Sequence, residues 1–95
     1  MLDLDASAVR ALADLQRSAG VSDHGGLRIT LADHRERSRF ALAVVPRATE
    51  GDKTVAAGDA RVFLTPPAAG ELRGKVLHAS VDADGTVRFG VRGRS

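Results

Sequence analysis

The residues best equipped for chemistry gather in one short polar stretch, Asp33-His34-Arg35-Glu36-Arg37-Ser38, followed at once by Arg39. Asp33, His34 and Glu36 offer oxygen and nitrogen donors that could hold a divalent cation, against the plainer reading of a solvated turn of mixed charge. Arg35, Arg37 and Arg39 recur at every second residue, so an extended backbone would set all three on one side. Three planar guanidinium forks at that spacing could clamp an acidic protein surface, a phosphate or a nucleic-acid backbone. Ordinary solubility explains such a strip equally simply, with Asp33 and Glu36 as neighbours.

The three histidines, His24, His34 and His78, fall in a loop, a turn and a strand, and the chain has no cysteine. Soft-metal chemistry therefore lacks its usual thiolate donors. The candidate metal ligands reduce to His34, Glu36 and His78, and no metal centre is assigned. Asp82-Ala83-Asp84-Gly85 has the look of a calcium-loop opening, but the later glutamate and the helical flanks are missing; a hairpin turn accounts for these residues. The serines have no nucleophile-elbow spacing, and Gly25-Gly26 opens a strand rather than a phosphate-cradling helix. No catalytic residue and no cofactor site follow from the residues, and the chain reads as non-enzymatic. Against nucleic acid stands the lack of stacking residues, since Trp and Tyr are absent.

These groups must be positioned by a small set of elements. Asp5 is placed to cap a helix whose apolar face is Ala8, Leu12, Leu15 and Ala19, with Arg10, Asp14 and Arg17 opposite and Gly20 ending it. Val21 to Gly26 reads as a loop. Leu27, Ile29 and Leu31 alternate with Arg28 and Thr30, and Phe40, Leu42 and Val44 repeat that period after the charged turn, so the two segments predict a hairpin. Pro46 stops the second strand. Residues 47–53 form a surface connection. Thr54-Val55-Ala56 and Arg61-Val62-Phe63-Leu64 predict two short strands joined through Gly58-Asp59. Thr65 is placed to cap a short helix with Pro66 or Pro67 in its first turn, ending near Gly74.

The closing hairpin allows a sharper inference, because its register must bring apolar faces together. A two-residue turn at Asp84-Gly85 would pair Ser80 with Phe89 and separate the faces. A three-residue loop, Ala83-Asp84-Gly85, pairs Val81 with Val87, Ala79 with Phe89 and Leu77 with Val91, and sets Gly85 at the left-handed position. The second arrangement is the expected one, with Phe89 as a large buried ring against small Ala79. His78 then faces away from Leu77 and Ala79, as a rim or surface residue.

Ninety-five residues make one domain, residues 1–95, and the 43% hydrophobic content suits a folded protein. The net charge of +2 announces neither a nucleic-acid nor a membrane partner, and the pI near 9.9 reflects the dominance of arginine over Lys53 and Lys75. The acidic start Met1-Leu2-Asp3-Leu4-Asp5 lacks a secretory pattern, and no apolar run approaches the roughly 18 residues that span a bilayer. The expected compartment is the cytoplasm.

Gly26-Leu27-Arg28-Ile29-Thr30-Leu31, Gly51-Asp52-Lys53-Thr54-Val55, Arg61-Val62-Phe63-Leu64 and Leu72-Arg73-Gly74-Lys75-Val76-Leu77-His78 follow one another in an order and spacing that resembles the A-type iron–sulfur carriers, the HesB/IscA-like family. The resemblance covers roughly residues 2 to 91. It implies an α+β, mostly β fold: a compact β-sandwich or partial barrel of short strands, with an N-terminal helix and one short helix. In that family a cysteine follows the first strand and two more lie near the C-terminus. Here those places read Asp33 to Ser38 and Phe89-Gly90-Val91-Arg92-Gly93-Arg94-Ser95, and at His78 the family commonly has aspartate. The resemblance thus implies a carrier-like fold unable to carry a cluster itself. It suggests a binding or regulatory module whose partner is a protein of the iron–sulfur assembly or iron-homeostasis system, with an inherited homodimer conceivable. Two alternatives stay open: an anion-, phosphate- or nucleic-acid-binding module using Arg35, Arg37 and Arg39, and a mononuclear metal binder using histidines and carboxylates.

Overall fold

The computed structural model of the protein describes residues 2–21, 24–32 and 39–93. In chain order its elements are β1 (Asp3–Leu4), α1 (Ala6–Ser18), β2 (Gly26–Ala32), β3 (Arg39–Val45), β4 (Lys53–Ala57), β5 (Ala60–Leu64), α2 (Pro66–Glu71), β6 (Lys75–Val81) and β7 (Val87–Gly93). The strands make two mixed sheets, a three-stranded one in the order β1-β6-β7 and a four-stranded one in the order β3-β2-β5-β4. The mostly β, two-helix architecture is the expected one, and among the described residues the sheets do not close into a barrel.

Asp5 caps α1 as its position predicts: its Oδ1 accepts the Ala8 N–H at 3.0 Å. Ala8 and Leu12 are fully buried, whereas Leu15 is only half-buried and Ala19 is exposed. The buried residue one turn beyond Leu12 is Gln16, so the packed stripe runs at i, i+4 and i+8 rather than curving towards Leu15. Gly20, at φ +68°, takes the left-handed conformation that ends the helix.

The hairpin of β2 and β3 pairs Leu27 with Val44, Ile29 with Leu42 and Leu31 with Phe40. The alternation therefore places the faces correctly, but β3 is an edge strand, and Leu42 is 44% exposed. β4 and β5 form the second antiparallel pair around the Gly58-Asp59 turn. What joins the two hairpins is a parallel pairing of β2 with β5, Leu27 to Val62 through Ile29 to Leu64. Gly26 permits this approach, because a Cβ there would stand 2.5 Å from the Arg61 carbonyl oxygen.

α2 begins at Pro66 with Thr65 as N-cap, but the Thr65 hydroxyl makes no capping bond. The helix ends at Glu71, earlier than the expected Gly74; Leu72 turns inward to full burial, and Gly74 at φ +73° reverses the chain into β6. The closing hairpin has the expected register, Leu77 with Val91, Ala79 with Phe89 and Val81 with Val87. Gly85 at φ +86° completes the three-residue loop. One strand escaped the sequence reading. β1 is only two residues long, and its pairing is parallel and distant, with Asp3 opposite Val76 and Leu4 opposite Leu77.

The core lies between the sheets and the helices, with Leu2, Leu12, Ile29, Val62, Leu64, Leu72 and Leu77 almost wholly buried. Phe89 only flanks this cluster, half-buried, and Val81 and Val91 on the same hairpin face are 65% and 38% exposed. The hairpin thus overhangs the core at both ends instead of lying flat upon it. Leu77→Ala should accordingly destabilise the protein by about 2–5 kcal/mol and Phe89→Ala by clearly less, reversing the order set by side-chain size alone. Urea denaturation of the two variants measures this, and equal or inverted losses would place the core elsewhere.

Candidate functional site

Of the residues singled out for chemistry, Asp33, His34, Arg35, Glu36 and Arg37 lie outside the described residues. Arg39 opens β3 opposite Ala32, so the strand begins at the last of the three arginines. His78 is described: it stands half-buried on β6 opposite Gly90 of β7. Its ring lies over that glycine, with Cε1 and Nε2 each 2.6 Å from where a Gly90 Cβ would be. The imidazole thus fills the space that the missing side chain leaves, in the rim position expected of it. No group of three or more histidine and acidic side chains that could hold a metal ion occurs among the described residues.

The acids and arginines of the closing hairpin are tied to each other. Arg88 pairs with Asp82, and the Thr86 N–H donates to Asp84 Oδ1 at 3.0 Å, which lowers the Asp84 pKa. Asp82-Ala83-Asp84-Gly85 is therefore a self-contained turn. Arg92 reaches Asp5 of the α1 cap at 3.4 Å. The Ser7 hydroxyl also donates to Asp5, and this bond, followed by that from the Ala8 N–H, holds the Asp5 carboxyl below its ordinary range. Ser7 Oγ accepts the Ala79 N–H at 3.0 Å, so one short cluster ties the helix start to β6.

Two polar anchors were not singled out from the sequence. Gln16 Nε2 donates to the Asp59 carbonyl at 2.7 Å, and its Oε1 accepts the Arg61 N–H at 2.9 Å. A polar residue in phase with Ala8 and Leu12 was the available signal. The second anchor is Arg28 with Asp52: Nε to Oδ2 at 2.9 Å and Nη2 to Oδ1 at 3.2 Å, the carboxylate side chain being 2% exposed. The Arg28 bonds are the main reason the Asp52 pKa is lowered, and the Thr49 N–H adds a third bond at 3.0 Å. These residues are 24 apart in sequence, and no local spacing links them. Both anchors are structural, since every partner belongs to the backbone or to the pair itself.

One concave surface is the seam between the two sheets at β3 and β7. A groove of about 340 Å³ opens there, lined by Ile29, Phe40, Leu42, Leu77, Phe89 and Val91 among others. Its lining side chains are aliphatic and aromatic. A second hollow of about 360 Å³ lies between α1 and the closing hairpin, with Arg10, Asp14 and Ser80 at its rim and Leu15 and Val87 inside. Neither presents a nucleophile beside a base, so among the described residues no acid–base or covalent constellation is assembled.

No family model matches the chain, and no curated protein matches it significantly. Solved structures do. A crystal structure of IscA with its 2Fe–2S cluster superposes with a TM-score of 0.78 at 23% identity, over 98% of this chain and 85% of that one. Escherichia coli SufA, involved in biosynthesis of iron–sulfur clusters, gives 0.78 at 16% identity, over 97% and 79%. The solution structure of a protein from Aquifex aeolicus gives 0.74 at 19%, over 97% and 90%. The fold is the HesB/IscA-like fold, end to end. The whole chain contains no cysteine and so offers no thiolate. No helix among the described residues is long and apolar enough to cross a membrane.

Because the Asp52 pKa is lowered, the unfolded chain takes up that proton more readily, so the pair stabilises the fold fully above the ordinary carboxylate range. That contribution is lost as pH falls from about 4 through the folded value. Asp52→Asn should lower the melting temperature at neutral pH by several degrees and flatten the acid limb of the stability curve; an unchanged limb would show that other carboxylates govern it. At the rim, Gly90→Ala should cost about 1 kcal/mol by displacing the His78 ring, and the cost should vanish in the His78→Ala background. Persistence of the cost without the ring would locate the constraint in the backbone.

Proposed function

We propose that the protein is a non-enzymatic binding module, related to iron–sulfur cluster assembly through its fold and unable to carry a cluster itself. The observation supporting this reading is the pairing of a carrier fold over nearly the whole chain with a sequence that lacks cysteine. A fold retained without its thiolates keeps surfaces rather than chemistry. The partner is a protein of the iron–sulfur assembly or iron-homeostasis system, met in the cytoplasm, and its recognition runs through Arg35, Arg37 and Arg39. A guanidinium fork meets an acidic surface at little ordering cost, because it is planar and permanently charged.

Anaerobic reconstitution with iron and sulfide should leave the protein colourless. A visible chromophore that survives gel filtration with stoichiometric iron and sulfide would overturn the reading. Affinity capture from the native host, followed by mass spectrometry, should return assembly-system proteins; recovery of ribosomal or DNA-bound proteins would favour a nucleic-acid ligand instead. Replacing Arg35, Arg37 and Arg39 together with Gln should leave the melting temperature nearly unchanged, weaken binding to the recovered partner and flatten its salt dependence. Equal affinity and equal salt slope in variant and parent would remove the strip from the interface.

A further inference from the structure

A third hollow, of about 230 Å³, lies between β4 and α2. Buried Leu2, Val55 and Leu64 and half-buried Ala69 form its inner side. Its outer side carries two exposed cations, Lys53 at the start of β4 and Arg73 just past α2, and no carboxylate lines it. Among the described residues neither cationic side chain takes part in a hydrogen bond or an ion pair. A hollow of this size falls below the range of about 300–1,000 Å³ usual for small-molecule sites and suits a single apolar side chain.

The strand beside the hollow is open to main-chain bonding. β4 has β5 as its one ladder partner among the described residues. The Arg61 N–H donates to Gln16 and the Thr65 N–H to the Ile29 carbonyl, so the odd-numbered residues along β5 turn their backbone groups away from β4. Ala60, Val62 and Leu64 therefore bond Ala57, Val55 and Lys53 across the pair, and Thr54 and Ala56 present their N–H and C=O groups at the free edge. Both residues are exposed. A lysine on an edge strand commonly deters pairing. Lys53 stands at the first position only, on the face it shares with Val55, and the rest of β4 is uncharged. It repels a cation at that end of the edge and attracts an anion.

We propose that β4 and this hollow receive the C-terminal tail of a partner protein, added antiparallel to β4, with an apolar side chain in the hollow and the terminal carboxylate between Lys53 and Arg73. The direction follows from the charges. A strand antiparallel to β4 ends where β4 begins, which brings its carboxylate to Lys53. A parallel one would carry its carboxylate to the Gly58-Asp59 turn, beside an acid. A tail residue opposite Val55 points its side chain to the face of Val55, and so into the hollow. The planar fork of Arg73 suits both carboxylate oxygens, and Lys53 adds a point charge. Thr54 and Ala56 supply the main-chain bonds that hold the tail extended. A free small carboxylate could use the hollow and the cations but would leave that edge unpaired. The site uses none of Arg35, Arg37 and Arg39, so its fate is separate from that of the arginine strip.

Titration of the isotope-labelled protein with an acetylated pentapeptide, Ala-Ala-Ala-Leu-Leu with a free carboxylate, tests this through backbone amide shifts. The Thr54 and Ala56 amides should shift and saturate. The same peptide ending in a carboxamide should bind at least about tenfold more weakly, and K53Q/R73Q should weaken the free acid as much while leaving the carboxamide peptide unaffected. That variant should melt with the parent, because both cations are exposed and unpaired. A56P removes an outward N–H that no strand of this chain uses and should weaken both peptides. N-acetyl-leucine has the carboxylate and the side chain but no strand to add, and should bind at least about tenfold more weakly than the pentapeptide. Absence of a saturable shift at the solubility limit of the peptide would overturn the proposal. So would a carboxamide peptide that binds as tightly as the acid, or affinity indifferent to K53Q/R73Q. N-acetyl-leucine matching the pentapeptide would overturn it too, by making the hollow a small-molecule site. Should A56P fail to fold, the comparison of acid with carboxamide in the parent and in K53Q/R73Q decides.

Discussion

The parallel contact of β2 with β5 is the constraint on which the rest of the structure depends. Each hairpin is locally specified, but only this contact makes the two into one four-stranded sheet with a continuous inner face of Leu27, Ile29, Val62 and Leu64. It exists because the chain leaves glycine where the backbones converge: any side chain at Gly26 would collide with the Arg61 carbonyl, and one at Gly25 with Val21 and the Val45 carbonyl. Arg61 turns the same approach into a bond, its Nε donating to the Gly25 carbonyl at 2.6 Å. Apolar burial supplies the driving force, while the glycines and this bond decide which surfaces meet.

Once that sheet is set, a few long-range polar groups fix everything laid against it. Gln16 spans from α1 to both Asp59 and Arg61, satisfying two backbone groups of the β4–β5 turn with one buried amide. Asp5 and Ser7 tie the start of the same helix to β6, the Asp5 N–H donating to the Leu77 carbonyl at 3.1 Å. Arg28 and Asp52 hold the long β3–β4 connection against the outer side of the sheet. No buried side-chain nitrogen or oxygen among the described residues is left without a partner. Polar groups therefore position the elements.

The carrier fold consequently persists here as a shape. Its seam at Phe40, Leu42, Phe89 and Val91 is lined by apolar side chains, whereas the hollow beside α1 carries Arg10 and Asp14.

How much of this was legible beforehand divides along physical lines. Local periodicity marked α1, the β2–β3 hairpin and the β4–β5 pair, because alternation and helical phase are properties of neighbouring residues. The register of the closing hairpin was legible too, since only a three-residue loop brings Leu77, Ala79 and Val81 onto the face of Val87, Phe89 and Val91. The absence of cysteine ruled out thiolate chemistry by composition alone. Tertiary structure decided what depends on distant partners. It paired β1 with β6 across more than seventy residues of chain, chose Gln16 over Leu15 as the buried continuation of the helix stripe, joined Arg28 to Asp52 and left Phe89 and Leu42 at the edge of the core. In each case the deciding quantity is which surfaces meet once the sheet has formed. That is set by the sum of contacts from several elements, and no window of local sequence contains it.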